Sequence, residues 1–205
     1  MNTADPSRAI GASVLFAGLS DCPLIPWLRE EGARVVQTEQ RISKSDVVEG
    51  RFDFLVSYRY RHIVRREVLE EFPSRAVNLH ASLLPWNRGA DSNFWSFVDG
   101  TPKGVTLHYM DEGLDTGDII AQRELHFDSE RETLSSSYGK LQRTLMELFK
   151  ENWHAVRRGT ASRRRQPSGG SYHRTVDRRR LDYLLTQGWD TPVSVLEAYG
   201  VDRRN

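Results

Sequence analysis

Short apolar runs of strand length alternate with helical patterns along the first part of this chain, and that alternation restricts the folds open to it. Residues 13–20, 34–40 and 52–58 are rich in aliphatic, β-branched or aromatic side chains, as strands are. A helical spacing of apolar residues follows the first run, and residues 65–72 form another helical pattern after the third. Strands that alternate with helices pair in parallel through right-handed crossovers. We therefore expect an α/β protein with a mostly parallel, twisted sheet and helices on both faces.

The second half of the chain adds more strands and one long helix. Further strands are predicted at 76–81, 103–110 and 119–127, and a short helix at 93–98. The longest helical pattern runs from Ser129 to about Val156, with a stripe of apolar residues that should pack on the sheet. Ser129 and Glu132 have the spacing of a capping box, and Gly159 is expected to end the helix.

The C-terminal part of the chain differs in composition from the rest. Residues 162–171 are polar and contain Pro and Gly, which is typical of a linker. We predict a main domain over 1–160, followed within 161–205 by this linker and a small C-terminal subdomain. Beyond residue 156 the chain carries 11 Lys and Arg against 5 Asp and Glu. Because arginine outnumbers lysine 25 to 4 in the whole chain, we interpret this basic character as a solvated surface.

Composition argues against several classes of protein. A net charge of +1 over 205 residues gives little support for nucleic-acid binding. The longest uncharged, apolar-rich stretch, at 9–20, is shorter than the about 18–20 apolar residues that a membrane-spanning helix needs. A single cysteine, Cys22, permits no disulfide within the chain and no thiolate metal cage. We expect a cytoplasmic protein with no metal, no nucleic-acid partner and no membrane partner.

Two polar side chains interrupt the predicted strand at 76–81 near its end. Asn78 and His80 are two residues apart, so strand alternation sends both side chains to the same face. The carboxyl ends of strands are where open α/β sheets bind their ligands. An amide donor beside an imidazole on rigid backbone can stabilise an oxyanion and move a proton.

A carboxylate in a later loop would complete this set. Asp115 lies between Gly113 and Gly117 in a tight connection between two predicted strands. A carboxylate near His80 would stabilise the imidazolium form and raise the pKa of the histidine. Asn and His in a strand are also often hydrogen-bonded core groups, and Asp next to Gly is commonly a turn residue, so spacing leaves both interpretations open. We interpret His108, in the strand before this loop, as a core histidine rather than a ligand.

Two long motifs change that balance. Residues 78–89 read N-L-H-x-S-L-L-P-x-x-R-G, and residues 104–122 read G-V-T-L-H-x-M-D-E-G-L-D-T-G-D-I-I-x-Q. This pair resembles the folate-dependent formyltransferases, and the likeness extends over about residues 10–160. Ala81 is a departure, since the family commonly has proline after its catalytic histidine. The resemblance implies a Rossmann-like formyltransferase fold with a small C-terminal extension.

The resemblance also implies a reaction and its residues. The expected activity is transfer of a formyl group from N10-formyltetrahydrofolate to a primary amine, with Asn78, His80 and Asp115 as catalytic residues. By the same resemblance the folate lies against two loops, whose residues are Tyr60, His62 and Val64 in one and Asp111, Gly113 and Leu114 in the other. Acceptor contacts are expected from Trp86, Arg88 and Asn93, although Arg88 is also suited to bracing its loop.

Several acceptors fit the resemblance. A nucleotide-linked amino sugar is preferred, and an amino acid or an aminoacyl group on a carrier, as in peptide-synthetase formylation domains, is the alternative. About 45 residues after Gly159 are too few for the tRNA-binding barrel of methionyl-tRNA formyltransferases. A hydrolase of formyltetrahydrofolate could use the same three residues, and a non-catalytic binding module would need none of them. An oligomer is compatible with the sequence.

Overall fold

The computed structural model describes residues 11–204. Within this range the strands are β1 (Ser13–Gly18), β2 (Arg34–Thr38), β3 (Phe54–Tyr58), β4 (Ala76–His80), β5 (Arg88–Gly89), β6 (Gly104–Tyr109), β7 (Ile119–Glu124) and β8 (Tyr172–His173). The helices are α1 (Leu24–Glu30), α2 (Lys44–Gly50), α3 (Arg66–Leu69), α4 (Ser92–Val98), α5 (Leu134–Arg158), α6 (Thr175–Arg179) and α7 (Val193–Arg204). Each strand of the main sheet overlaps a run predicted from the sequence.

The main sheet has six strands in the order β2-β1-β3-β4-β6-β7. The first four are parallel to their neighbours, whereas β4 pairs with β6, and β6 with β7, in antiparallel fashion. The connection from β6 to β7 contains no helix within the described chain, and such a short return suits antiparallel neighbours. The prediction of a mostly parallel sheet is confirmed, and its antiparallel edge lies beside β4.

Helices cover both faces of this sheet, as the alternating pattern predicts. Adjacent residues of β3 point in opposite directions. Val56 belongs to the apolar cluster that contains Leu28 of α1 and Leu145 of α5. Leu55 belongs to the cluster that contains Val47 of α2 and Val68 of α3. The sheet is therefore the middle layer of three.

Helix α2 was not predicted from the sequence. Val47 is its buried residue, so the helix lacks the repeated apolar spacing that marks an amphipathic helix. The sequence nevertheless contains a signal for the start of this helix, because Ser43 and Asp46 form a capping box. Local capping, with one apolar anchor, accounts for this short helix.

The predicted start of the long helix is wrong. Helix α5 begins at Leu134, and its N-cap is Thr133, whose hydroxyl accepts a hydrogen bond from Ser136 N at 3.1 Å. Ser129 instead donates to Glu197 of α7, and Glu132 is buried and paired with Lys140. The residues just before Thr133 form a turn of their own, so their polar groups serve tertiary contacts. The predicted end is confirmed, with Gly159 in the left-handed conformation at φ 68°.

The C-terminal segment packs against the main body through a separate apolar cluster. Leu196 of α7 is fully buried and shares this cluster with Phe94 and Phe97 of α4 and with Leu134 of α5. Strand β8 pairs in parallel with β5, just after the loop that follows β4. No helix in the described part of the chain combines the length and apolar character required to cross a membrane.

Candidate active site

Strand β4 brings Asn78 and His80 to one face near its carboxyl end. The antiparallel neighbour β6 places His108 opposite Asn78 and Thr106 opposite His80. Both Asn78 and His80 lie beside the carboxylate of Asp115. Because β4 is paired with β3 on one side and β6 on the other, Asn78 and His80 stand on rigid backbone.

The loop between β6 and β7 fixes Asp115. Its backbone is left-handed, with φ 54°, and a Cβ at Gly117 would lie 1.9 Å from the carbonyl oxygen of Tyr109. Glycine at 117 is thus required for the chain to return to the sheet here. Asp115 Oδ1 accepts a hydrogen bond from Asn78 Nδ2 at 3.1 Å, and Oδ2 accepts from the backbone N–H of Gly89 at 2.8 Å. Donors from two other segments therefore orient the carboxylate.

The ring of His80 is oriented by groups on both of its nitrogens. Nε2 lies 3.0 Å from the backbone oxygen of Asn87, and because that oxygen accepts, Nε2 carries the hydrogen. Nδ1 lies 3.6 Å from Asp115 Oδ2, a distance for charge interaction rather than for a direct hydrogen bond. His80 is 8% exposed, so this interaction is weakly screened.

His108 belongs to the same cluster, which the sequence interpretation did not foresee. Its Nδ1 donates to the carbonyl of Tyr109 at 2.7 Å, and its Nε2 lies 3.1 Å from Asn78 Nδ2 and 3.6 Å from Asp115 Oδ1. The residue is 2% exposed, so it is buried as expected, but it faces Asn78 and Asp115. The position of His108 in the cluster follows from the register between β4 and β6, which pairs His108 with Asn78.

The electrostatic balance at Asp115 favours the carboxylate. Burial raises the pKa of Asp115, but the charge on His80, the ring of His108 and the Gly89 N–H act in the other direction and prevail. The pKa of Asp115 is therefore held well below its ordinary value. A carboxylate that stays ionised can stabilise positive charge on a neighbouring imidazole.

The two loops predicted to hold the folate lie next to each other. Arg66 Nε, just after the first loop, is 3.2 Å from Glu112 Oε1 in the second. Met110 packs against the apolar cluster that contains Val64, and Tyr60 packs on the same cluster.

Side chains within these loops have different surroundings. Asp111 accepts hydrogen bonds from Gly113 N at 3.1 Å and from Thr116 Oγ1 at 2.6 Å, which shapes the second loop. Leu114 is 42% exposed at its tip. His62 packs edge-on against Tyr60. Their assignment to the folate stays a prediction.

The three residues predicted to touch the acceptor have different surroundings. Trp86 is partly exposed. The guanidinium of Arg88 donates to Gln166 Oε1, at 3.2 Å from Nε and 2.7 Å from Nη2. Asn93 is buried, and its amide donates to Leu134 O and Ser137 Oγ. These contacts favour bracing for Arg88 and packing of α4 on α5 for Asn93.

Comparison with known proteins adds a family match. The model of the formyl transferase family matches residues 25–171 of this chain. The matched region includes β4, the loop of Asp115 and all of α5.

A solved structure matches over most of the chain. The formyltransferase PseJ from Anoxybacillus kamchatkensis, in complex with UDP-4,6-dideoxy-4-formamido-L-AltNAc and tetrahydrofolate, aligns with a TM-score of 0.88 and 43% sequence identity. The alignment covers 92% of this chain and 100% of that chain.

Two kinds of curated relative are similar over shorter spans. The dTDP-4-amino-4,6-dideoxyglucose formyltransferase of Mycobacterium tuberculosis is 33% identical over 141 residues, which is 67% of this chain and 58% of the relative. The methionyl-tRNA formyltransferase of Anaeromyxobacter dehalogenans is 41% identical over 138 residues, which is 64% of this chain and 43% of the relative. The matched region thus spans less than two thirds of the length of either relative.

Proposed function

Because this chain belongs to the formyl transferase family, we propose that it transfers a formyl group from N10-formyltetrahydrofolate to the primary amine of a nucleotide-linked amino sugar. The observation that carries the proposal is the convergence of Asn78, His80 and Asp115 at the end of β4. These are the three residues that the family resemblance assigns to catalysis.

Asn78 and His80 supply hydrogen-bond donors for a developing negative charge. When an amine attacks a formyl carbon, charge builds on the formyl oxygen. Donors held in place beforehand stabilise such an oxygen, and losing one typically costs about 2.7–4 kcal/mol of barrier. Both side chains stand on strand backbone, and in this structure their donors already have partners: Asn78 Nδ2 bonds Asp115 Oδ1 and faces His108 Nε2, and His80 Nε2 bonds the Asn87 carbonyl. A formyl oxygen therefore replaces one of these acceptors when the substrate binds.

The proposed role of Asp115 is to stabilise positive charge on the neighbouring imidazole and to relay a proton. Asp115 stays ionised, because its pKa is held below the ordinary value, and it lies 3.6 Å from the nearest nitrogens of both His80 and His108. In this role the carboxylate stabilises positive charge that develops on the His80 ring and passes the proton of the attacking amine toward the departing nitrogen through water.

The loops around the cluster suit a folate. The loop at 60–64 and the loop at 111–114 are joined by the Arg66–Glu112 ion pair, and each exposes an apolar side chain, Ile63 at 73% and Leu114 at 42%. An apolar rim of this kind fits the face of a flat heterocycle. Bound there, the folate supplies the formyl group on a nitrogen that can leave.

An amino sugar is the acceptor class that similarity supports best. PseJ, which matches nearly the whole chain, was solved with a UDP-linked formamido sugar and tetrahydrofolate. A second relative formylates a dTDP-linked amino sugar according to its name. The likeness to methionyl-tRNA formyltransferases covers less than half of those proteins.

The test is a labelled formyl donor mixed with a panel of amines. The panel contains UDP- and dTDP-linked amino sugars, methionyl-tRNA and an aminoacyl carrier, and product is read by mass and by label. Label in a formamido sugar is expected. Label in formyl-methionyl-tRNA or on the carrier would show that the acceptor is not an amino sugar. Label in formate alone would indicate a hydrolase.

Variants separate catalysis from folding. His80→Ala and Asn78→Ala should each lower kcat by about a hundredfold or more, because each removes a donor from the oxyanion. His126→Ala, at an exposed histidine in the segment after β7, is the matched control and should keep wild-type turnover. Near wild-type turnover of a folded His80→Ala protein would overturn the catalytic assignment.

A further inference from the structure

Residues 161–173, which we name the strap, follow α5 and run along the catalytic cluster. Arg163 places its guanidinium 4.0 Å from the ring centre of Tyr109. The backbone of Arg164 pairs with Ile119 in both directions, at 2.9 and 2.7 Å, where β7 begins. The end of the strap forms β8 and pairs with β5. A segment that reads as a linker is thus fastened at both ends to the elements that carry the site.

Gln166, in the middle of the strap, joins two loops of the site with one amide. Its Nε2 donates to the carbonyl oxygens of Asp115 and Gly117, both at 2.8 Å. Its Oε1 accepts the two bonds from Arg88. Two donated hydrogens and two accepted bonds use the full capacity of a primary amide. The neighbour of Arg88, Gly89, in turn donates to Asp115 Oδ2.

The strap also reaches His80 through one intermediate. Ser171 Oγ accepts from the backbone N–H of Asn87 at 2.9 Å, and Ser171 O accepts from Arg88 N at 3.0 Å. The carbonyl of Asn87 is the group that holds His80 Nε2. The strap therefore bonds Asn87, whose carbonyl holds His80, and also bonds the backbone of Asp115 itself.

We propose that the strap sets the separation and orientation of the His80–Asp115 pair, with Gln166 as its positioning residue. This inference rests on the proposed function, since it concerns the residues assigned there to catalysis. Without the Gln166 amide, the carbonyls at 115 and 117 lose a shared donor and Arg88 loses its acceptor. The left-handed backbone at Asp115 then has one restraint fewer.

Two substitutions test the two sides of the amide. Gln166→Met removes all four bonds at similar length. Gln166→Glu keeps an acceptor for Arg88 but turns a carboxylate toward two carbonyl oxygens. Both should lower kcat by about tenfold or more while each KM stays within about twofold, because misplacement of a reacting pair affects turnover first. Arg165→Ala is the matched control, since it changes an exposed side chain next to Gln166, and it should stay within about twofold of wild type.

Coupling to Asp115 separates positioning from general stabilisation. In an Asp115→Asn background, followed by single-turnover kinetics, Gln166→Met should cost less than about twofold, because the group it positions is already lost. An equal fold-loss in both backgrounds, or an unchanged kcat in the single variant, would overturn the proposal.

A second readout needs no turnover. Hydrogen exchange at the Gly89 amide, which bonds Asp115 Oδ2, should be at least about tenfold faster in Gln166→Met than in wild type or Arg165→Ala. Equal exchange would also overturn the proposal. If the wild-type chain formylates no amine, the proposed function fails, and the exchange result alone decides whether Gln166 holds Asp115.

Discussion

At the scale of single residues, the site is organised around one buried carboxylate. Asp115 accepts from Asn78 and Gly89 and is faced by two histidines, His80 from β4 and His108 from β6. Burial by itself would favour the neutral acid, and these partners reverse that preference. The interactions that keep Asp115 ionised therefore also contribute to the stability of the folded protein.

Acid titration of stability measures this contribution. The pKa of Asp115 is lower in the folded protein than the about 3.9 of an unfolded aspartate. The stabilisation is therefore complete above about pH 4 and is lost as the pH falls toward the folded pKa. Between pH 5 and pH 3, which lies below the ordinary histidine range, wild type should lose about 1 kcal/mol more unfolding free energy than Asp115→Asn.

Urea unfolding at several pH values gives that difference. Asp111→Asn, at an exposed carboxylate in the same loop, is the control and should follow wild type. Parallel curves for wild type and Asp115→Asn would show that the folded protein does not depress the pKa of this group.

The sequence predicted Asn78, His80 and Asp115 as neighbours, because alternation and a family motif both point to them. It did not predict the surroundings of His108, since the antiparallel pairing of β4 with β6 decides which residue faces Asn78. Gln166 was missed for a related reason. Its partners are carbonyl oxygens at 115 and 117, and main-chain acceptors leave no pattern in the sequence.

At the scale of elements, local signals and tertiary contacts compete for helix ends. The sequence pattern predicts the cap at Ser129, whereas the structure has it at Thr133, and tertiary contacts account for the difference. Thr133 forms an isolated bridge with Pro192, and Leu134 N donates to Thr191 O at 3.1 Å. Pairing with this later segment fixes the first turn of the helix at Leu134.

The predicted cap, Ser129, and the observed cap, Thr133, can be compared directly. Thr133→Ala should reduce the free energy of unfolding by about 1 kcal/mol, because it leaves the N–H of Ser136 without its side-chain acceptor. Ser129→Ala removes a bond to Glu197 outside the helix and should cost less. Chemical denaturation of both proteins ranks them, and a larger loss for Ser129→Ala would contradict this assignment of the cap.

The strands were predictable because most are apolar runs of the right length, and β1, β3 and β6 are buried at every position. Their direction was less so, since β6 and β7 read like the earlier strands but are antiparallel. Helix α2 was not predicted because it buries one apolar residue, Val47, and so shows no apolar periodicity. The periodicity of apolar residues and the length of a run reveal elements that have a wide buried face. Elements that are held mainly by caps can be recognised only once the fold is known.

At the scale of the whole molecule, the C-terminal segment is built into the main body. Val193 N donates to Glu132 O at 3.0 Å beside the start of α5, and α7 buries Leu196 against α4. Helix α4 follows β5, whose Gly89 holds Asp115. Packing near the end of the chain is therefore continuous with the support of the site.

Leu196→Ala tests this continuity. Removing a fully buried leucine should cost about 2–5 kcal/mol, the usual range for such a truncation. Val201→Ala, at a position of the same helix that is 48% exposed, should change stability by less than about 0.5 kcal/mol. If α7 unfolds with the sheet, Leu196→Ala shifts a single cooperative transition seen equally by far-UV circular dichroism and tryptophan fluorescence. Two separated transitions, or a loss as small as that of Val201→Ala, would show that the C-terminal segment folds independently of the body that carries the site.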